Sequence, residues 1–203
     1  MLDYKNGIHK ECGKKFETYE DIIITPFYTE EFCQELVKIC EFYKDKFSPY
    51  IYYYYKGVKS NNSPWNTLSF NKINYYLFED FCDHYKKNIC PLLLDIFPET
   101  KITGWFSPMI IKYDKPKQVL NLHNDESLIT MNLKLNNNYE GSTLYFPRQE
   151  WSNKDVPIGY AYLWPSNVTH PHRTDELKSG IKYTLTNWTF PPVWKKENFI
   201  ENV

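Results

Sequence analysis

Residues 119–136 read VLNLHNDESLITMNLKLN, in which two short strand-like runs are separated by Asp, Glu and Ser. Five more runs of this kind occupy the second half: KITGWFSPMIIKY at 101–113, STLYFPR at 142–148, GYAYLWP at 159–165, VTHPH at 168–172 and IKYTLTNWTF at 181–190. Many short strands broken by turn residues are typical of a sandwich or barrel. The second half therefore predicts an antiparallel jelly roll.

The first half shows helical periodicity instead. After Thr29, a candidate N-cap, apolar residues recur at helical spacing at Phe32, Leu36, Cys40 and Tyr43. A second amphipathic helix is predicted from about Asn71, its candidate cap, to Ile89.

The two halves together predict an α+β, mainly β, fold. Residues 1–203 would form a single domain, with a helical support region at about 20–95 and a jelly-roll core at about 101–191. The core would be a double-stranded β-helix.

Composition and cysteine content indicate which partners and which setting to expect. Lysine and arginine total 24 against 25 acidic residues, so charge gives no reason to expect a nucleic-acid or membrane partner. No run of 18 apolar residues and no signal-peptide h-region occurs, so a cytoplasmic location is expected. Five cysteines, an odd number without a CxxC pair, are expected to be thiols.

Two residues in the opening stretch could bind a metal. His123 and Asp125 are two positions apart, so on an extended strand or its immediate end both side chains point the same way. His-x-Asp alone is a weak signal, because a hydrogen-bonded His and Asp would give the same pattern. A third ligand is available 47 positions beyond Asp125, at His172, or at the neighbouring His170.

Two histidines and one carboxylate suit non-haem iron(II), because they leave coordination positions open for substrates. Catalytic zinc uses the same ligand types, so these residues alone do not select the metal. Lys182, ten positions after His172, favours iron with a 2-oxo acid. The far carboxylate of such an acid would need a buried cation inside the barrel.

These residues resemble the pattern of the 2-oxoglutarate and iron(II)-dependent dioxygenase superfamily, Tyr…His-x-Asp…His…Arg/Lys on a double-stranded β-helix. The resemblance assigns the metal to His123, Asp125 and His172, and 2-oxoglutarate to Lys182, Tyr113 and Thr186. It leaves His170 as a group behind the ligands or a packed core histidine.

Within that superfamily, the chain resembles the catalytic domain of procollagen-lysine hydroxylases. The resemblance runs through TGWFSPMIIKY, HNDESLITMNLKLNNNYEG, the THPH pair and GIKYTLTNW. Lys182 departs from the Arg usual in lysyl hydroxylases, and the segment between the metal ligands is somewhat shorter. Lysine at that position and Tyr-Phe-Pro at 145–147 resemble collagen-type prolyl 4-hydroxylases.

The resemblance implies Fe(II), the cosubstrates 2-oxoglutarate and O2, and ascorbate as an accessory reductant. The chain would hydroxylate a C–H bond on peptidyl lysine while 2-oxoglutarate is decarboxylated to succinate, with no catalytic residue beyond the metal site. A protein or peptide substrate and a homodimer are expected. Three alternatives stay open: a peptidyl-proline hydroxylase, an oxygenase of a small molecule or free amino acid, and a metal-binding jelly roll without turnover.

Overall fold

A computed structural model describes residues 4–49, 52–53, 59–60, 65–100, 102, 104–105, 107–190 and 200–201. The first half contains α1 (Tyr4–Gly7), β1 (Glu17–Tyr19), β2 (Ile22–Pro26), α2 (Glu30–Phe42), β3 (Ser48–Pro49), β4 (Tyr52–Tyr53), β5 (Lys59–Ser60), β6 (Asn66–Ser69), α3 (Phe70–Ile73), α4 (Tyr75–His84) and α5 (Cys90–Ile96). The second half contains β7 (Gly104–Trp105), β8 (Met109–Tyr113), β9 (Leu120–His123), β10 (Ile129–Lys134), β11 (Tyr139–Gly141), β12 (Leu144–Phe146), β13 (Trp151–Ser152), β14 (Tyr160–Pro165), β15 (His172–Thr174), β16 (Leu177–Gly180), β17 (Lys182–Phe190) and β18 (Ile200–Glu201).

Two antiparallel sheets form the barrel. The main sheet has the order β1-β2-β14-β10-β17-β8-β6-β3, and β7 also pairs with β17. The smaller sheet has the order β13-β12-β15-β9. Aromatic contacts join the two sheets: the ring of Trp164 on β14 lies 5.0 Å from Phe146 on β12 and 5.1 Å from His172 on β15. The predicted jelly roll is confirmed.

Strand β17 shows how the sequence separates the two faces of the main sheet. Tyr183 and Leu185 belong to the large apolar core that also contains Leu36 of α2 and Phe81 of α4. The alternate residues of β17, including Lys182, face away from that core, because side chains on a strand alternate. The helices thus cover one face and leave the other for a polar site.

The first predicted helix is confirmed as α2. Its N-cap is Thr29, whose hydroxyl accepts a hydrogen bond of 3.2 Å from the backbone N–H of Phe32. Phe32, Leu36 and Cys40 are buried on its inner face.

The second predicted helix is divided into pieces, and its predicted cap was wrong. Asn71 lies inside α3, whereas Asn74 caps α4 by accepting a 2.8 Å hydrogen bond from the N–H of Tyr76. A π-helical turn, Tyr85–Ile89, then joins α4 to α5. Pro91 lies in the first turn of α5, directly after the π-helical turn, and the helical region continues beyond it to Ile96.

Three strands in the first half, β1 (Glu17–Tyr19), β2 (Ile22–Pro26) and β6 (Asn66–Ser69), were not predicted from the sequence. β1, β2 and β6 all join the main sheet. The strand predicted at 168–172 was also wrong. It was expected to end at His172, whereas β15 begins at that residue. That residues 1–203 form one domain stays a prediction. The tyrosine-rich run at 50–55, whose composition favours a strand, lies mostly outside the described residues.

The cysteines fit the thiol prediction, since all five are free and buried. In the described part of the chain, no helix is long and apolar enough to cross a membrane. A cytoplasmic location stays a prediction.

Candidate metal centre and cosubstrate site

The three predicted metal ligands come together at one end of the barrel. His123 ends β9 and His172 begins β15, and the two residues are paired across the small sheet. Asp125 follows two residues after His123. One ligand atom from each of the three residues can be chosen so that all lie within 4.8 Å of one another. They are the only such group of three potential ligands in the described segments.

The distances within this group suit a shared ion. Nε2 of His123 lies 3.4 Å from Oδ1 of Asp125, and Nε2 of His172 lies 3.6 Å from Oδ2. Nitrogen and oxygen ligands about 2.0–2.2 Å from one ion are roughly 3 Å apart when adjacent. A small inward movement of the side chains would therefore let all three bind one metal.

Backbone contacts set the tautomer of both histidines. Nδ1 of His123 lies 2.8 Å from the carbonyl oxygen of Asn121, and Nδ1 of His172 lies 3.0 Å from that of His170. A carbonyl oxygen only accepts, so each Nδ1 must carry the proton in these contacts. Each Nε2 then keeps its lone pair for a metal, which is the arrangement typical of ligating histidines.

The protonation of the group also favours a cation. Burial alone would raise the pKa of Asp125, but the adjacent His123 and His172 rings and the hydrogen bond from Thr130 hold it below its ordinary value. The Thr130 hydroxyl donates to Oδ2 over 2.7 Å. Burial lowers the pKa of His172, which keeps its imidazole neutral. The site therefore offers a carboxylate and a neutral imidazole.

His170 is absent from the group, because its ring points elsewhere. The ring is buried and lies between two polar groups, with Nε2 2.8 Å from the carbonyl oxygen of Glu20 and Nδ1 2.8 Å from the hydroxyl of Thr169. Its backbone carbonyl orients His172. His170 thus joins the β1–β2 turn to strand β15, which carries His172.

Replacing His170 with alanine is expected to leave iron affinity nearly unchanged, because its contact with His172 is made by the backbone. The Glu20 carbonyl would lose its donor, so the free energy of unfolding should fall by about 1–3 kcal/mol. Metal analysis and urea unfolding measure the two quantities. His172→Ala is the comparison and should lose iron; retention of iron by His172→Ala and its loss from His170→Ala would reverse the assignment.

The predicted 2-oxoglutarate residues lie on adjacent strands. Lys182 on β17 is paired with Tyr113 on β8, and both side chains are buried. The Lys182 ammonium donates a 2.5 Å hydrogen bond to the carbonyl oxygen of Ser142 and lies 5.1 Å from the centre of the Tyr113 ring. Because no carboxylate lies beside it among the described residues, burial lowers the pKa of Lys182 to about 7. A buried cation without a counter-ion is a strong anion site.

Tyr113 and Thr186 extend this anion site toward the metal. The Tyr113 hydroxyl shares a hydrogen bond with Thr174, two residues after His172, and burial raises the Tyr113 pKa to about 12, so it stays protonated. Thr186 shares the face of β17 with Lys182. Its hydroxyl oxygen accepts a 2.9 Å hydrogen bond from the Asn132 amide, which leaves its own proton available to an anion.

Several supporting residues were not found from the sequence. Asn132 is held by the hydroxyl of Tyr162, which donates to its side-chain oxygen over 2.6 Å, and so fixes Thr186. Ser142 supplies the carbonyl beside Lys182, and its own hydroxyl is fully buried with no recorded partner. These roles depend on pairing between distant strands, and no local sequence signal marks them.

Comparisons with known proteins agree with this geometry. No protein-family profile matches the chain. Human procollagen-lysine,2-oxoglutarate 5-dioxygenase 2 is 24% identical over 182 residues, covering 84% of this chain and 24% of the human protein. Mouse procollagen-lysine,2-oxoglutarate 5-dioxygenase 1 is 26% identical over 199 residues, covering 93% of this chain and 26% of the mouse protein. The chain spans about a quarter of the length of these curated relatives.

Solved structures show the same fold. A Trichoplax adhaerens prolyl hydroxylase in complex with a hypoxia-inducible-factor peptide fragment matches with a TM-score of 0.66 at 17% identity, over 84% of this chain and 83% of that one. A Pseudomonas putida prolyl-4-hydroxylase matches with a TM-score of 0.64 at 13% identity, over 86% of this chain and 94% of that one.

Fold and sequence similarity together define a class: the chain resembles 2-oxoglutarate- and iron(II)-dependent dioxygenases, as predicted. Within that class it is similar in sequence to procollagen-lysine hydroxylases and in fold to prolyl hydroxylases. The predicted combination of lysyl- and prolyl-hydroxylase features is confirmed.

Proposed function

We propose that this chain is an Fe(II)- and 2-oxoglutarate-dependent dioxygenase that hydroxylates lysine in a peptide. The observation that carries the proposal is the combination of His123, Asp125 and His172 in one group with Lys182 in the same barrel, a buried cation with no counter-ion among the described residues. The His123, Asp125 and His172 side chains alone would also suit zinc. The buried cation adds a place for the second carboxylate of a 2-oxo acid.

His123, Asp125 and His172 would hold the metal on one side and leave the other side open. Bound Fe(II) would supply the activation of O2 that couples decarboxylation of 2-oxoglutarate to hydroxylation of a C–H bond. The chain's own contribution is binding and orientation. Thr130 fixes the Asp125 carboxylate, and the carbonyls of Asn121 and His170 fix the two rings.

Lys182, Tyr113 and Thr186 would bind the carboxylate of 2-oxoglutarate that lies away from the metal. The ammonium supplies charge, and the two hydroxyls supply hydrogen bonds from the protonated side chains. Phe146 and Trp164 pack against the His172 ring at 5.3 and 5.1 Å. These rings keep water from that side of the ligand group, which strengthens the electrostatic interactions inside.

Binding of 2-oxoglutarate should weaken as pH rises above about 7, the pKa to which burial lowers the Lys182 ammonium. Lys182 is charged below that pH and increasingly neutral above it, whereas the bound anion requires the charged form. The dissociation constant should therefore rise by up to about tenfold per pH unit, with proton uptake on binding. Calorimetry of the Fe(II)-loaded protein without oxygen, in buffers of different ionisation enthalpy, measures both.

The matched control is Lys182→Arg, because a guanidinium stays charged throughout this pH range. That variant should bind 2-oxoglutarate with little pH dependence between about pH 7 and 9. Over this range the Lys182 ammonium of the unchanged protein loses its proton. A wild-type affinity that is flat over the same range, without proton uptake, would contradict the role of Lys182.

Support for lysine as the hydroxylated residue comes from sequence similarity to procollagen-lysine hydroxylases. Peptidyl proline is the second candidate, favoured by the lysine at position 182 and by the similarity in fold to prolyl hydroxylases. Candidate peptides containing lysine or proline can be incubated with the protein, Fe(II), ascorbate and 2-oxoglutarate and then sequenced by mass spectrometry. Addition of one oxygen atom at lysine is expected; addition at proline only would replace the lysine assignment, and addition to a free amino acid or other small molecule only would overturn both.

A further inference from the structure

A cleft of about 600 Å³ opens between the outer strands of the two sheets. One wall is formed by β1 and the residues before it, and the other by β13 and the loop that follows it. β1 is the outer strand of the main sheet and β13 the outer strand of the small sheet. We call this region the edge cleft, and it lies outside the metal and cosubstrate sites described above.

The walls of the edge cleft are unusually aromatic. Phe16 and Tyr19 line one side and are 40% and 46% exposed, and Trp151 lines the opposite side. Pro26 and Tyr160 contribute to the lining between them. Exposed aromatic and proline side chains around a groove favour contact with an extended chain, while β1 offers the backbone groups of a strand paired on one side only in the described structure.

The charge of the edge cleft is acidic. Three carboxylates, Glu17, Glu150 and Asp155, line it, against one cation, Lys15. The β1–β2 turn adds the exposed Glu20 and Asp21 next to Tyr19. Lys154, the neighbour of Asp155, lines a separate cavity together with Lys134, although the charge of Lys134 also interacts with Asp155. The edge cleft would therefore attract a cationic partner and repel nucleic acid or an anionic membrane.

A transverse row of rings connects the edge cleft to the metal centre. The row runs across the small sheet from His123 through His172 and Phe146 to Trp151, with successive ring centres 4.3, 5.3 and 5.5 Å apart. Adjacent strands are about 4.8 Å apart, so the backbone at Trp151 is only about 10 Å from that at His172. Phe146 and His172 are buried, so the row gives the separation of the two sites through the protein interior and is not itself a path for a bound chain.

We propose that the edge cleft binds a lysine- or arginine-rich extended segment that flanks the hydroxylated residue of a peptide substrate. This inference rests on the proposed function, since it assumes that the substrate is a peptide. The carboxylates would pair with basic side chains, the aromatic rings would pack on their aliphatic stems, and the β1 edge would bind the backbone. The cleft would set substrate affinity without taking part in the chemical step.

The test is binding of a fluorescently labelled lysine-rich peptide to the full chain, measured by anisotropy without added iron. Glu17→Gln, Glu150→Gln and Asp155→Asn are combined in one variant. Because each exposed ion pair contributes little, the three together should weaken binding by about tenfold. Added salt should weaken binding to the unchanged protein and have less effect on the variant.

The matched control neutralises three exposed carboxylates elsewhere, Asp83→Asn, Asp95→Asn and Glu99→Gln, and should bind as the unchanged protein does. Equal binding by the triple cleft variant, or equal binding of a glutamate-substituted peptide, would overturn the proposal. So would self-association that the cleft substitutions abolish, because the occupant would then be a second copy of this chain.

Turnover separates this inference from the proposed function. With a hydroxylated peptide substrate, the cleft variant should show a higher KM and an unchanged kcat. Unchanged KM with retained hydroxylation would refute the edge cleft alone, whereas absence of hydroxylation by the unchanged protein would refute the proposed function.

Discussion

Replacing Asp125 with alanine is expected to abolish Fe(II) binding at stoichiometric concentrations and, with it, all decarboxylation of 2-oxoglutarate. Asp125 provides the only carboxylate of the three-residue group. Its Oδ1 lies 3.4 Å from Nε2 of His123, and its Oδ2 lies 3.6 Å from Nε2 of His172. Substitution of residues that merely orient the metal ligands lowers metal affinity by about 10–100-fold. Loss of a charged ligand should therefore lower it further. Iron analysis after gel filtration and succinate formation measure the two effects.

The control for this variant is Asp175→Ala, which removes an exposed carboxylate just after β15 whose recorded partner is Arg173. It should keep iron and activity. The Asp125→Ala protein should remain folded, because the side chain is small and its loss also relieves a buried charge. An Asp125→Ala protein that still binds one equivalent of Fe(II) would contradict the assigned ligands.

Replacing Lys182 with methionine is expected to have two opposite effects. It should raise the 2-oxoglutarate requirement by about a hundredfold or more, because a buried carboxylate would lose its charged partner. It should also stabilise the ligand-free protein, by about 1–3 kcal/mol, because a buried cation with no counter-ion in the described part of the chain is replaced by an apolar side chain of similar length. Enzyme kinetics and urea unfolding measure the two effects.

The stability gain should depend on pH in a defined direction. Burial lowers the Lys182 pKa from 10.5 to about 7, so between these values the unfolded chain binds more protons than the folded one. The penalty in the unchanged protein is thus complete below about pH 7 and disappears toward pH 10.5. Lys178→Met, an exposed lysine on β16, should change neither property. If Lys182→Met destabilised the protein and left the 2-oxoglutarate requirement unchanged, Lys182 would have only a structural role.

The fold was largely predictable where one local pattern determines structure. The strands of the second half follow alternation and turn residues, and α2 follows apolar spacing and its Thr29 cap. The contribution of β1 and β2 was not predictable in this way, because the pairing of β2 with β14 joins residues more than a hundred positions apart. The π-helical turn before α5 likewise has no signal that distinguishes it from a continuous helix.

In the site, too, residues marked by a local sequence pattern were predictable and residues that act through distant strands were not. His123 and Asp125 are recognisable because they are close in sequence, and the interval between His172 and Lys182 adds the third ligand and the cation. The reason for preferring His172 to His170 becomes physical only in three dimensions, where His170 contacts the Glu20 carbonyl instead of the cluster. Asn132 and Ser142 act through residues on other strands, so the sequence could not reveal their roles.

The central claim is that Fe(II) at the His123–Asp125–His172 cluster drives decarboxylation of 2-oxoglutarate bound at Lys182. The most direct measurement is release of labelled succinate from labelled 2-oxoglutarate by the purified chain, with and without Fe(II), in the presence of lysine- and proline-containing peptides. We expect succinate only when Fe(II) is present, and none from the Asp125→Ala protein. Absence of succinate from the iron-loaded unchanged protein, or equal release by Asp125→Ala, would contradict the claim.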